Sequence, residues 1–411
     1  MNQNKIRIVA NDGMIDEMRF SSIKDDMADV SAFENHLLVS GQAQGPTESA
    51  IRYLKDTPVA GHIHHFADTL SAHGKGKLDL AVDLNLAKAS EIKIQGRYDF
   101  MDNQVMLAPG TPPVSALKGS IRFTESAMDS TDLQAQWSGE PLSVRISTNE
   151  QGTQIDASGR VSVSELRQHY DLPEYDQLSG KTNWQARETI RGGHADLSLS
   201  SDLKGIAASL PDPFNKSAGA ALPLTVVRQT ATGRSGVGID QIWRISLGNA
   251  LAGNLGLNSK GQVLRGRVIL GSGQVPAMSD QPGIQLEAQR SFNVDYWAKA
   301  FGAGTGASVG TTKSRNVGVV PTTWTLKAPT VTAFGRRFQD FRATVQSAAD
   351  HTTVQMASKE LQGDLDWYPP GKGEGGERGL LQGRLSRLDL TAATDTQASS
   401  SKDARSEIES L

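Results

Sequence analysis

Apolar and polar residues alternate with a period of two through most of this chain, and this pattern constrains its fold more than any other feature. In the stretch GKLDLAVDLNL, the apolar side chains from Leu78 to Leu86 would share one face of a strand, with Asp79 and Asp83 on the other. A strand with one buried and one solvated face is typical of antiparallel sheets. The same alternation returns at 92–100, 133–137, 142–146, 195–199, 243–247, 324–328, 341–345 and 365–367.

Helices are predicted in three short stretches, 47–57, 162–170 and 292–301, each beginning near a Ser, Thr or Asn that can cap a helix. Crossover helices are therefore too scarce for a doubly wound parallel sheet. The sequence predicts an all-β fold, in which an elongated, twisted antiparallel sheet curls into an open groove and carries a few short helices.

The composition excludes several classes of function. With no cysteine among 411 residues, the chain can form no disulfide, thiolate zinc site or iron–sulfur cluster. A formal net charge of −3 offers no basic surplus to a phosphate backbone, so we expect no nucleic-acid partner. No run approaches the ~18 apolar residues of a membrane-spanning helix, and the sequence therefore predicts no membrane span in this chain.

Groups that could support catalysis are scattered along the sequence. His62 and His64 would share one face of a strand, but a metal site there lacks an evident third ligand beyond Asp68. The run GAGTGASVG lacks the GK[ST] ending of a phosphate-binding loop, and acid pairs such as Glu360 and Asp364 arise by chance. We therefore expect no catalytic residue, no metal and no cofactor, and we interpret the chain as a protein without enzymatic activity.

The apolar face of the predicted sheet remains as the candidate for function. Too few helices are predicted to cover it, so the face must pack on a second layer or act as a surface. An open trough would suit acyl chains, whereas a solenoid would bury the same face and act as a scaffold for protein partners; the periodicity leaves both open. The candidate lining residues are Leu78, Leu80, Val82, Leu84, Ile92, Ile94, Phe100, Leu142, Val144, Ile146, Leu197, Leu199, Ile245, Leu247, Leu326 and Leu365.

The segment SDLKGIAASLPDPFNKSAGAALPLTV (201–226) interrupts the alternation. Proline cannot donate to a strand ladder, so Pro211 and Pro213 mark a break in pairing. We expect a loop that folds over an edge or mouth of the trough, with Leu210, Pro211, Pro213 and Phe214 as its candidate contacts and with Leu210 and Phe214 turned inward. An inert connection between strands is the alternative.

This segment also resembles the SDL-x-G-x-x-x-x-LP-x-P-x-x-K-x-AG signature of YhdP-family proteins, the long AsmA-like members of a periplasm-spanning lipid-transport group. Further segments resemble the family's motifs in the family's order, so the likeness extends from about residue 38 to 390. These segments are SGQAQGPTESAIRYLKDTPV, YDFMDNQVMLAPGTPPVSALKGSIRFTE, STDLQAQWSGEPLSVRIST, FNVDYWAKAF, VTAFGRRFQDF and ELQGDLDWYPP with LQGRLSRLDL.

The resemblance implies a repeating β-groove along which phospholipid acyl chains slide between the inner and outer membranes of a Gram-negative envelope. It implies a periplasmic location, as part of an inner-membrane-anchored protein whose anchor is absent from this chain, and it leaves the factors at either membrane unspecified. On this interpretation residues 1–390 form one continuous groove region, with sub-boundaries near 201–226 and 302–318, and residues 391–411 form a disordered polar tail.

Overall fold

The structure is a computed structural model. Its described residues are 6–15, 17–27, 36–56, 71–86, 88, 92–106, 113–149, 152–169, 176–192, 194–232, 238–300, 323–371 and 379–389. The predicted sub-boundary near 302–318, the predicted tail at 391–411 and the pair His62 and His64 lie outside these residues. The chain divides into two compact units. Unit 1 comprises the described residues of Met1–Ala208 and Lys216–Thr230, and unit 2 those of Ser209–Asn215 and Ala231–Leu411.

Unit 1 is a sheet of strands joined mostly by short turns. Its strands are β1 (Ile6–Ala10), β2 (Gly13–Ile15), β3 (Met18–Met27), β4 (His36–Pro46), β5 (Ser71–Asn85), β6 (Lys93–Met106), β7 (Val114–Thr124), β8 (Met128–Trp137), β9 (Glu140–Asn149), β10 (Gly152–Ser162), β11 (Leu178–Arg191), β12 (His194–Ser201), β13 (Ile206–Ala208) and β14 (Leu224–Thr230). Its helices are α1 (Thr47–Asp56) and α2 (Val163–His169).

The strands of unit 1 pair antiparallel in chain order from β3 to β12, and β12 then pairs with β14. The short strands β1 and β2 both pair with β3, and β13 pairs with the beginning of β11. Register shifts interrupt several of these ladders, for example between His73 and Lys75 and between Ser130 and Leu133. Such bulges bend a strand and increase its local twist.

Three segments of unit 1 lie at one edge of its sheet. Neighbouring antiparallel strands alternate in direction, so β4, β10 and β12 run the same way. Helix α1 follows β4 directly, α2 follows β10 directly, and the loop that begins at Asp202 follows β12. All three therefore begin where strands end on the same side of the sheet. We call this line of strand ends the helix edge of unit 1.

Unit 2 is a second sheet with one helix. Its strands are β15 (Gln241–Leu247), β16 (Leu251–Leu257), β17 (Val263–Leu270), β18 (Gly283–Ala288), β19 (Phe292–Asn293), β20 (Thr323–Ala333), β21 (Arg336–Ser347), β22 (Thr352–Ala357), β23 (Leu361–Tyr368) and β24 (Leu380–Leu388). Its helix is α3 (Val294–Ala300).

The middle of unit 2 corrects the prediction of a purely antiparallel sheet. Strands β15 to β17 and β20 to β24 pair antiparallel, but β17 pairs parallel with β18, and β18 and β19 pair parallel with β20. A parallel pair needs a connection long enough to return the chain to the same end. Residues 271–282 provide it between β17 and β18, and the stretch containing α3 provides it between β18 and β20. Alternation alone does not report strand direction.

The predictions of a mainly stranded fold and of three short helices are confirmed. Both units are mainly strand, and α1, α2 and α3 fall within the three stretches that the sequence marked as helical. In the described part of the chain, no helix is both long enough and apolar enough to cross a membrane.

Candidate functional site

One face of the unit 1 sheet is apolar from strand to strand. Residues that pair directly across neighbouring strands project to the same side, so the register traces this face. Leu80 pairs with Gly41 and Gly96, and Val82 pairs with Ile94. Continued through β14, the trace places eleven predicted lining residues together: Leu78, Leu80, Val82, Leu84, Ile94, Phe100, Leu142, Val144, Ile146, Leu197 and Leu199. We call this surface the apolar face of unit 1; the predicted residue Ile92 lies just before β6.

Three aromatic rings on this face pack over glycines of neighbouring strands. A Cβ at Gly76 would fall 2.2 Å from the Tyr98 hydroxyl, and one at Gly96 would fall 2.1 Å from the Phe123 ring. Trp184 covers Gly159 of the neighbouring strand, where a Cβ would lie 3.2 Å from the indole. A side chain at any of these glycines would push the ring away from the sheet. The glycines therefore allow the aromatic rings to pack directly against the neighbouring strand.

Helix α1 covers part of the apolar face at the helix edge. Ala50 is buried with Met18, Ala43 and Tyr98, and Ile51 packs against a larger cluster centred on β7 to β9. The lining residues differ in burial, and Leu142 and Ile146 are buried. Ile94 is 1% exposed, whereas Leu80, Val82, Leu84 and their counterparts on β12 are half-buried. The apolar face therefore combines buried and half-buried side chains.

A buried polar cluster fixes α1 to the sheet. The Tyr98 hydroxyl donates to Thr47 Oγ1 at 2.8 Å, and the Asn103 amide donates to the same oxygen. Asn103 Oδ1 accepts from the backbone N–H of Met101 at 2.8 Å. Burial raises the pKa of Tyr98, against the smaller opposing effect of its hydrogen bond with Thr47. The cluster ties the first residue of α1 to β6 and holds the helix over the apolar face.

The opposite face of unit 1 is polar and carries ordinary ion pairs. Arg187 Nε donates to Asp156 Oδ1 at 2.6 Å across β10 and β11. Burial by itself would raise the pKa of Asp156, but hydrogen bonds from Arg187 and Gln154 hold it below its usual value. The two faces of the same strands thus differ sharply in chemistry.

Unit 2 also has an apolar face. Its register places Ile245, Leu247, Leu326 and Leu365 on one side of the sheet, with Trp243, Trp324 and Trp367 on that same side. Leu381 of β24 lies on the same side and is 61% exposed. This surface, the apolar face of unit 2, contains the four remaining predicted lining residues.

The interrupted segment 201–226 is an ordered loop built around Lys216. Its ammonium donates to the carbonyls of Leu203 at 2.9 Å, Ser217 at 3.2 Å and Ile206. Burial lowers the pKa of Lys216, and Asp202 partly offsets this. The sequence analysis included this lysine only as part of the family signature. It did not predict that the ammonium donates to three backbone carbonyls.

The four candidate contacts of this loop lie in residues 209–215, which belong to unit 2. Leu210, Pro211, Pro213 and Phe214 are half-buried. Phe214 packs edge-on against Trp297 of α3, with ring centroids 5.6 Å apart, and its N–H donates to the Pro211 carbonyl at 3.0 Å. An aromatic contact with α3 was not predicted.

The register also places charged residues on the apolar face of unit 1, including Glu140 beside Trp137. Glu188 of β11 and Arg228 of β14 form an ion pair at 2.6 Å. Sequence reasoning missed this pair, although each residue occupies an apolar position of its alternating strand: Glu188 follows Trp184 and Ala186 at intervals of two, and Arg228 follows Leu224 and Val226. Among the residues that the structure describes, no group of three or more His, Asp or Glu side chains is placed to hold a metal ion.

These features define a class of protein in which a long sheet presents one apolar face and one polar face. A family model described as "YhdP protein" matches residues 1–410, and the chain belongs to this family. The chain is 24% identical over 343 residues to the "Intermembrane phospholipid transporter YhdP" of Escherichia coli (strain K12), a match covering 80% of this chain. The chain spans 26% of that relative's length. No solved structure matches the chain significantly.

Proposed function

We propose that this chain is a segment of a non-enzymatic envelope conduit that carries phospholipid acyl chains along its apolar faces, between inner and outer membranes. The observation that carries the proposal is the continuity of the apolar face of unit 1, where eleven predicted lining residues share one side of a single sheet. Membership of the YhdP family and the description of the Escherichia coli relative as an intermembrane phospholipid transporter support it.

Acyl-chain binding would come from many weak contacts spread over the apolar face rather than from one specific group. Each half-buried aliphatic residue gives up apolar surface to a lipid tail, at about 25 cal/mol per Å². This attraction has no preferred direction along the strands, so a tail can slide from one row of side chains to the next. The proposal thus needs no catalytic group, metal or cofactor.

The location proposed is the periplasm, within a protein anchored in the inner membrane. The support is the family membership and the relative's description as an intermembrane transporter. Protease treatment of intact cells and of spheroplasts, read with an antibody to this chain, tests it: degradation should require removal of the outer membrane barrier and should not require lysis.

The loop contacts Leu210, Pro211, Pro213 and Phe214 are proposed to shield the edge of unit 2 through the packing of Phe214 on Trp297. A Phe214→Ala variant should speed the exchange of bound fluorescent phospholipid with vesicles. An unchanged exchange rate would identify the loop as an inert connection.

The central test is mass spectrometry of organic extracts of the purified chain after incubation with phospholipid vesicles. Val82→Asp places a charge on the apolar face, where an unpaired charge is costly, and should reduce bound phospholipid about tenfold or more. Val82→Ala should bind nearly as much as the wild type. Ala81→Asp is the matched control, because Ala81 is exposed on the polar face of the same strand.

The outcomes separate a conduit from a dry scaffold. Phospholipid on the wild type and on Ala81→Asp, with loss from Val82→Asp, supports an accessible apolar face. A folded wild type without lipid would instead favour the scaffold for protein partners and would overturn the proposal. Melting curves of all variants establish that each is folded.

A further inference from the structure

The ion pair between Glu188 and Arg228 interrupts the apolar face of unit 1. Glu188 pairs in register with Ile155 of β10 and Leu197 of β12, and Arg228 of β14 pairs with Leu197 from the other side. The Arg228 Nη2 therefore reaches across β12 to donate to Glu188 Oε1 at 2.6 Å. Among the residues of β10, β11, β12 and β14 that share this face, these two are the charged ones.

A charge pair at this position is not explained by stability. Half-buried ions give up hydration, and replacing such a pair with well-packed apolar residues is often neutral or stabilising. The Glu188 and Arg228 side chains are 31% and 25% exposed, so they are partly desolvated but open to a ligand. The pair between Arg187 and Asp156, on the polar face one position away, is more exposed, at 61% and 34%.

The position of the pair within the sheet matches the boundary between an apolar interior and water. Glu188 lies three positions before Arg191, where β11 ends, and Arg228 lies two positions before Thr230, where β14 ends. Both strand ends are at the edge opposite to the helix edge. Ile155, Leu197 and Leu199 continue the apolar face beside the pair.

We propose that Glu188 and Arg228 bind the headgroup of a zwitterionic phospholipid, the guanidinium taking the phosphate and the carboxylate taking the amine. A guanidinium presents a planar fork that fits phosphate oxygens, and a carboxylate attracts an ammonium group. A phospholipid bearing both charges replaces each half of the protein's ion pair with a new partner. An anionic headgroup without an amine leaves Glu188 facing net negative charge, which disfavours it.

This inference rests on the proposed function, since it assumes that the acyl chains occupy the apolar face. It adds the prediction that the chain selects among phospholipids by their headgroup. Ion-pair contacts of this exposure discriminate modestly, so the expected enrichment of zwitterionic over anionic phospholipid is about threefold to fivefold relative to the vesicle composition.

The test incubates the full chain with vesicles of equal parts phosphatidylethanolamine and phosphatidylglycerol, and then quantifies both lipids in the protein-bound extract. The total lipid reports the proposed function, and the ratio reports the inference. Glu188→Gln should bring the ratio to that of the vesicles while total lipid stays near wild type. Arg228→Gln should also lose the enrichment. Asp156→Asn and Arg187→Gln, which break the neighbouring pair on the polar face, should keep it.

Each result has a defined meaning. Lipid bound by the wild type in the vesicle ratio, or an enrichment that survives Glu188→Gln, would overturn the headgroup site while leaving lipid binding intact. Loss of enrichment in the Asp156→Asn control as well would assign the effect to general surface charge and would also overturn it. Absence of both lipids from folded wild type would overturn the proposed function and this inference together.

Discussion

Replacing Thr47 with valine should destabilise unit 1 far more than the loss of one hydroxyl normally would. Thr47 is 1% exposed and Asn103 is 0% exposed, so neither is reached by water. Thr47 Oγ1 accepts from both the Asn103 amide and the Tyr98 hydroxyl. Valine keeps the shape but leaves two buried donors unpaired, and each unpaired group costs about 1–3 kcal/mol. The expected loss in the free energy of unfolding is therefore about 2–6 kcal/mol, a large part of a typical domain's stability.

The Tyr98→Phe variant provides the matched comparison. It removes one donor without leaving a partner unsatisfied, because Thr47 still accepts from Asn103, so it should cost about 1 kcal/mol. In the double variant, the phenylalanine removes a donor that valine had left unpaired. Thr47→Val/Tyr98→Phe should therefore be more stable than Thr47→Val alone, giving a coupling energy of about 2–4 kcal/mol.

The assay is urea unfolding followed by tryptophan fluorescence. Trp137 and Trp184 belong to unit 1 and their ring centroids are 5.9 Å apart, so unfolding of unit 1 separates them and changes their fluorescence. Equal losses for the two single variants, or strictly additive losses in the double variant, would refute the reasoning. Hydrogen exchange localised to α1 and β6 would show that the effect arises at this cluster.

Two further predictions concern the loop and the titration of Tyr98. Lys216→Met should remove the donor shared by the carbonyls of Leu203, Ile206 and Ser217, costing about 2 kcal/mol; limited proteolysis should then cut within 202–223, and equal resistance to wild type would contradict this. Because burial raises the pKa of Tyr98 above 10.0, the folded chain holds that proton more tightly than the unfolded chain. Stability should hold below pH about 10 and fall as the pH rises through the raised pKa, and Tyr98→Phe should lack this part of the decline in alkaline urea titrations.

Much of the candidate surface could be predicted from the sequence because period-two alternation is a local property of each strand. Leu78, Leu80, Val82 and Leu84 share a face simply because they are spaced by two. The placement of the three helices was equally local, since caps and short amphipathic runs specify it. The assignment of these residues to a lipid surface stays a prediction until binding is measured.

The sequence could not predict which residues lie on the apolar face on both sides of a bulge, because a bulge shifts the alternation. In β8 the apolar face contains Met128 and Ser130 and then Leu133, so two adjacent residues intervene where strict alternation allows one. Extending the alternation back from Leu133 would have placed Asp129 on the apolar side. Bulges depend on how the partner strand pairs, and the residues of one strand do not encode that choice.

Side-chain direction follows from backbone geometry alone, so the sequence is enough to predict a sheet protein whose strands each have one apolar and one polar side. The neighbours of each strand, the parallel direction of β17, β18 and β20, and the meeting of Glu188 with Arg228 across β12 emerge only in the folded chain. These features depend on contacts between residues that are distant in the chain. Strand register and loop packing bring such residues together, and no local pattern records the outcome.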